Sequence, residues 1–133
     1  MNILVAEDNK FTAMQYRTLL EKMGHRVVTA EDGDECVKKF KQALKKTEFD
    51  SLGDPLFEPK FDLVLLDHHM PKKTGAQAAK EILQKNPEQK IIFVTSYQKW
   101  AVEDETDDLF DKIVLLEKPF TLGQLHRKIK ALA

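Results

Sequence analysis

The chain has 133 residues, with 21 Lys+Arg against 22 Asp+Glu and a formal net charge of -1. Hydrophobic residues make up 42% and charged residues 32%, too apolar for a disordered tail and too neutral for a general nucleic-acid binder. A lone cysteine, Cys36, excludes an internal disulfide, and no apolar run reaches the ~20 residues a membrane helix needs. Met1 leads into Ile3-Leu4-Val5 without the basic start of a signal peptide, so a soluble, cytoplasmic single domain over 1–133 is expected.

The first strand is read at Ile3-Leu4-Val5. Tyr16, Leu19, Leu20 and Met23 follow at i, i+3, i+4, i+7, the spacing of a helix with one apolar face, and Gly24 stands where a C-terminal cap belongs. Val27-Val28 marks the second strand, and Val37, Phe40 and Leu44 mark the second helix, which also carries Lys38, Lys39, Lys41, Lys45 and Lys46. Residues 47–60 contain Gly53, Pro55 and Pro59 and lack helical periodicity. They stretch this connection past the usual ~2–6 residues, as a surface excursion or as a partner-contacting loop led by Leu52, Leu56 and Phe57. Leu63-Val64-Leu65-Leu66 and Ile91-Ile92-Phe93-Val94 are unbroken aliphatic runs, the pattern of strands buried on both faces of a parallel sheet. Thr74 is read as the N-cap of the third helix between them. An acidic run from Glu103 to Asp111 covers the fourth helical segment, Ile113-Val114-Leu115-Leu116 is the fifth strand, and Thr121 caps a last helix patterned by Leu122, Leu125, Ile129 and Leu132. Strand and helix alternate throughout, which predicts an α/β fold with a parallel sheet.

In such a sheet, ligands bind beyond the carboxyl ends of the strands. Glu7 and Asp8 stand after the first strand, Asp67 after the third, Thr95 and Ser96 after the fourth, and Lys118 after the fifth. Crowded carboxylates repel one another and call for a cation. An oxygen-only donor set suits Mg2+, which keeps several waters and pairs with phosphate oxygens. A cation, a lysine and a hydroxyl answer the peripheral oxygens of a transferring phosphoryl group, leaving one carboxylate as nucleophile.

Glu7-Asp8-Asn9, Leu66-Asp67-His68-His69-Met70-Pro71 with Gly75, Val94-Thr95, and Glu117-Lys118-Pro119-Phe120 together resemble the receiver domain of two-component response regulators, over essentially the whole chain. The resemblance implies a doubly wound five-stranded sheet in the order 2-1-3-4-5, flanked by five helices. It makes Asp67 the phospho-acceptor. Asp8, Asp67 and the backbone carbonyl of His69 become Mg2+ ligands, Glu7 acts mainly through a water, and Mn2+ is expected to substitute. Thr95 and Lys118 become the groups that bind the phosphoryl oxygens, and Lys118-Pro119 resembles the family's cis peptide. The donor would be a histidine kinase or a histidine phosphotransfer protein, and no direct nucleic-acid or membrane contact is expected. The domain would accept and hydrolyse its own phosphoryl group without turning over an independent substrate.

The chain departs from the family pattern in places. Leu115 stands where an aromatic switch residue is common, three before the lysine. Asp108-Leu109-Phe110-Asp111 replaces a frequent Gly-Ala pair, and insertions like 47–60 occur in receivers of hybrid sensor kinases. His69 and Tyr97 are read as rate-tuning residues, and Trp100 and Leu115 as partner surface. His68 and His69 are adjacent at a strand end and point to opposite sides, which argues against a shared transition-metal ion. Cys36 is read as a small buried helix residue. Two other functions compete: a haloacid-dehalogenase-type phosphatase or phosphotransferase, and a degenerate receiver that only binds partners. The first wants a second aspartate at the position of His69, and the second should lack the full acidic set. A flavodoxin-like mononucleotide binder is disfavoured, because Glu7-Asp8-Asn9 would repel its phosphate.

Overall fold

Two unbroken aliphatic runs make the centre of the sheet, and the remaining elements are arranged around them. The computed structural model describes residues 1–45, 52–53, 60–95 and 113–132. Its elements are β1 (Asn2–Ala6), α1 (Lys10–Lys22), β2 (Arg26–Ala30), α2 (Gly33–Lys45), β3 (Leu63–Asp67), α3 (Gly75–Lys85), β4 (Lys90–Thr95), β5 (Val114–Glu117) and α4 (Leu122–Leu132). All neighbouring strands are parallel, in the order β2-β1-β3-β4-β5. The expected topology is therefore observed, with α4 as the last of the helices foreseen. The acidic fourth helical segment, Tyr97 and Trp100 lie outside the described residues, as does most of 47–60.

The strands alternate their side chains between two helical layers. Leu4, Val64, Leu66, Ile91 and Phe93 pack with Phe40 of α2 and Ile82 of α3. Ile3, Val5, Leu65 and Ile92 pack on the other side with Leu20 of α1 and Leu125 of α4. Every residue of β3 is buried, as a strand flanked by neighbours on both edges and covered on both faces must be. Cys36 is fully buried in the α2–α3 layer, and burial pushes its thiol up to about 12, so it behaves as a small apolar residue.

Local chemistry sets the helix ends. Gly24 lies at φ +91° after α1, and the Gly24 and His25 amides donate to the Glu21 and Leu20 carbonyls, the paired bonds of a Schellman motif. Thr74 and Gln77 form a reciprocal capping box on α3. Thr121 and Gln124 make the same exchange ahead of α4. Two readings need correction. Strand β5 runs from Val114 to Glu117, one residue later than the aliphatic run suggested, because Ile113 packs into the α2–α3 layer before strand pairing begins. Leu122 is 44% exposed, because it opens α4 ahead of the turns that Leu125 and Ile129 bury. Among the described residues no helix is long and apolar enough to cross a membrane.

Urea denaturation should rank two truncations. Leu65→Ala removes a buried side chain from the central strand and should cost about 2–5 kcal/mol. Thr74→Ala removes one side of an exposed cap and should cost about 1 kcal/mol.

Candidate functional site

At the carboxyl end of β1 the strand pairing continues one residue further, since the Glu7 amide donates to the Ala30 carbonyl at 3.0 Å. The chain then turns. The Asn9 amide donates to Glu7 Oε1 at 3.0 Å, and Asn9 Oδ1 accepts from the Thr12 amide to cap α1. This turn holds Glu7 inward at 4% exposure and leaves Asp8 exposed. Next to it, at the end of β3, Asp67 is 5% exposed. Its Oδ1 accepts from the His69 amide at 3.0 Å and its Oδ2 from Lys118 Nζ at 2.9 Å. The Lys118 amide donates to the Thr95 carbonyl at 2.7 Å, tying the ends of β4 and β5, and the Lys118-Pro119 bond is cis.

Carboxylate oxygens of Glu7, Asp8 and Asp67 lie within 4.8 Å of one another. Such crowding cannot keep every group ionised in a buried setting. Burial first, then a hydrogen bond to Asp67, holds Glu7 far above the ordinary carboxylate range. Glu7 Oε2 has no hydrogen-bond partner in the protein, and Lys118 Nζ is 4.0 Å away. Burial also works to raise Asp67, but the hydrogen bonds from Glu7, Lys118 and the His69 amide outweigh it and hold Asp67 below its ordinary range. The two neighbouring carboxyls are thus pushed in opposite directions, Glu7 up and Asp67 down.

The structure brings together four residues singled out in the sequence: Glu7, Asp8, Asp67 and Lys118. Thr95 ends β4 at 2% exposure, one residue beyond Val94, the partner of Asp67 in the β3–β4 register. His68 is buried with its ring 5.3 Å from that of Phe93, whereas His69 is exposed; their own ring centroids lie 5.7 Å apart, so the two do not point to opposite sides as expected. Leu115 is half-buried against the α2–α3 layer. Groups that sequence reasoning missed are mainly backbone ones: the Ala30 carbonyl behind Glu7, the Asn9 amide on its carboxyl, and the His69 amide on Asp67. Gly75, quoted only as part of a motif, has a steric role. A Cβ there would meet the Asp67 carbonyl oxygen at 2.5 Å and His68 Cα at 2.8 Å.

These shifts set a pH dependence of stability in the presence of a chelator. Glu7 has a raised value in the folded chain, so its contribution is full below the ordinary carboxylate range and lost as pH rises toward the raised value. Asp67 has a lowered value, so its contribution is present at neutral pH and lost in acid. Between pH 5 and pH 7.5 the stability of the wild type relative to Glu7→Gln should fall, by at most about 1.4 kcal/mol per pH unit for one proton. Urea titrations at several pH values check this, and a flat difference would contradict the raised Glu7 value.

With this geometry in hand, the similarities to known proteins are consistent. The family model described as response regulator receiver domain matches residues 3–130. Response regulator RR06 of Streptococcus pneumoniae is 31% identical over 134 residues, covering 99% of this chain and 52% of that protein. The response regulator receiver protein CpdR of Brucella abortus is 33% identical over 113 residues, covering 79% of this chain and 93% of that protein. The chain spans about half the length of the first two curated relatives it matches. Among solved structures, the response regulator TrrA of Thermotoga maritima, in complex with Mg2+ and BeF, superposes with a TM-score of 0.77 at 28% identity, covering 99% of this chain and 98% of that one. An acidic cluster at the carboxyl edge of a 2-1-3-4-5 sheet, and a family match running from the first strand into the last helix, lead to one assignment: the chain belongs to the response regulator receiver domain family.

Proposed function

We propose that this chain is a phosphorylation-controlled signalling switch in which Asp67 accepts a phosphoryl group from a phosphohistidine on a histidine kinase or histidine phosphotransfer protein. The observation that carries the reading is the Asp67 carboxylate itself. It is buried yet ionised, gripped by Lys118 at 2.9 Å, and bordered by two further carboxylates. A buried aspartate built only for stability would not be set beside Glu7 and Asp8, because the like charges would cost more than the burial returns. In the transfer, an Asp67 oxygen forms a bond to phosphorus while the bond from phosphorus to the histidine nitrogen breaks, and that nitrogen leaves with the electron pair.

The donor set is hard and oxygen-only, with one buried carboxyl oxygen that no protein donor reaches, and this fits Mg2+. Asp8, Asp67 and the His69 carbonyl would hold the ion, Glu7 would act through a water, and Mn2+ would substitute. When bound, the ion supplies positive charge against the clustered carboxylates and the phosphoryl oxygens. The protein's own part is positional. Lys118 neutralises the charge that develops on the phosphoryl group, and the Thr95 hydroxyl hydrogen-bonds an equatorial oxygen. Lys118 reaches Asp67 through its side chain and Thr95 through its amide, so an acyl phosphate at Asp67 would pull on β4 and β5 together. Hydrolysis reverses the state, with water oxygen bonding phosphorus and the Asp67 carboxylate leaving. The phosphatase reading is weaker, because His69 stands where that chemistry wants an acid–base aspartate, and the full acidic set argues against a degenerate receiver. The chain is taken as one receiver unit over 1–133, acting in the cytoplasm.

Incubation with acetyl phosphate and Mg2+ should add one phosphoryl group to the wild type and none to Asp67→Asn, as read by intact-mass spectrometry. Full modification of Asp67→Asn would overturn the acceptor. By isothermal titration, Asp8→Asn should weaken Mg2+ binding strongly and Glu7→Gln less so.

The switch makes a separate expectation. With beryllofluoride standing in for the phosphoryl group, Thr95→Ala should still load at Asp67 while amide shifts along β5 and α4 shrink relative to wild type. Undiminished shifts in those elements would remove Thr95 from the coupling.

A further inference from the structure

The turn between β2 and α2 contributes nothing to the acidic mouth, yet it touches both of its halves. The Ala30 carbonyl, at the end of β2, accepts from the Glu7 amide on the β1 side. Three residues later, the Gly33 amide donates to the Pro71 carbonyl, in the loop that follows Asp67. Contact at Gly33 is closer than any side chain permits: a Cβ there would sit 2.2 Å from the Lys73 carbonyl oxygen and 2.5 Å from Lys73 Cβ. Charge reinforces it. Lys73 Nζ bridges Glu81 of α3 and Asp34 of α2, and Lys72 Nζ lies 3.5 Å from Asp32 Oδ2. Lys72 itself is held at φ 70°, in the left-handed region that a lysine rarely occupies. At its start the same loop is fixed by Gly75, packed on the Asp67 and His68 backbone.

We propose that the β2–α2 turn acts as a spacer for the site, with Gly33 and Lys73 as positioning residues that fix the loop 68–74 and so set the distance from Asp67 and His69 to Glu7 and Asp8. The inference rests on the reading of this pocket as a cation-assisted phosphoryl acceptor, but the geometry it names can be tested without that reading. Gly33 allows α2 to seat directly on the loop backbone, and Lys73 locks α2 and α3 around it. Any side chain at position 33 must push the loop or the start of α2 aside, since the atoms in its way are mostly backbone. Ala30, anchored to Glu7, stays in place, so the two halves of the mouth lose their register.

The test uses the chain as it stands, comparing wild type, Gly33→Ala, Lys73→Met and Lys73→Arg. Two readouts are followed: the Asp67 and His69 amide resonances in chelator, and the Mg2+ concentration giving half-maximal phosphorylation by acetyl phosphate. Gly33→Ala should shift both amides and raise the half-saturating Mg2+ by roughly tenfold or more, the scale seen when the groups behind metal ligands are disturbed. Lys73→Met should do the same to a smaller degree, and Lys73→Arg should restore both readouts. If Gly33→Ala fails to fold, the Lys73→Met and Lys73→Arg pair decides alone. Unmoved Asp67 and His69 amides overturn the proposal, as do moved amides with an unchanged Mg2+ requirement. A wild type that takes up no phosphoryl group would refute the function above, and the amide shifts would then decide the spacer role by themselves.

Discussion

Keeping Asp67 charged where water scarcely reaches is the constraint on which the rest of the mouth depends. An ionised carboxylate at 5% exposure is tolerable only if donors replace the lost hydration, and here they come from three parts of the chain. Lys118 arrives from the end of β5, the His69 amide from the loop after β3, and the Glu7 carboxyl, which helps hold Asp67 low, from the end of β1. Glu7, Asp67 and Lys118 are far apart in sequence and meet in space only when the parallel sheet forms in its observed order. The fold and the charge state are therefore a single problem: the strand order delivers the donors, and the donors make the buried charge affordable.

Much of this was legible in the chain, for identifiable reasons. Strands β3 and β4 announce themselves because burial on both faces leaves no polar alternation, and Thr74 and Gly24 mark helix ends by chemistry that acts within a few residues. Glu7, Asp8, Asp67 and Lys118 could be grouped because each follows an aliphatic run, and a parallel sheet puts all such positions on one edge. The half-step error at Ile113 arose because an aliphatic residue packing just ahead of a strand looks like the strand itself. What stayed hidden was carried by backbone groups and by packing distance. Any residue at position 30 would offer the carbonyl that Glu7 uses, and nothing in the composition of Gly33 says that another segment lies against it. The upward shift of Glu7 was hidden too, since it follows from burial beside Asp67 and not from residue type.

The histidine pair shows how one step along the chain separates roles. His68 turns into the protein against Phe93 and becomes part of the packing, while its neighbour His69 faces outward and lends its amide to Asp67. Two imidazoles beside three carboxylates suggest a softer metal when read as composition alone. Their rings stay 5.7 Å apart, but among the described residues the group that gathers ligand atoms is Glu7, Asp8 and Asp67, oxygen donors without either imidazole. Likewise the basic look of α2 is partly spent inside the molecule, because Lys39 pairs with Glu35 on its own helix.

That same lysine has a further consequence at the border of the sheet. Among the described residues strand β2 pairs only with β1, and the Ala30 carbonyl faces inward to Glu7 while the carbonyl one residue earlier, on Thr29, faces away from β1. Lys39 Nζ covers that outward carbonyl at 2.6 Å. A strand from another molecule that tried to extend the sheet there would have to displace an ammonium from its acceptor and bury the released charge. The flank of the molecule is thus guarded against unplanned strand addition.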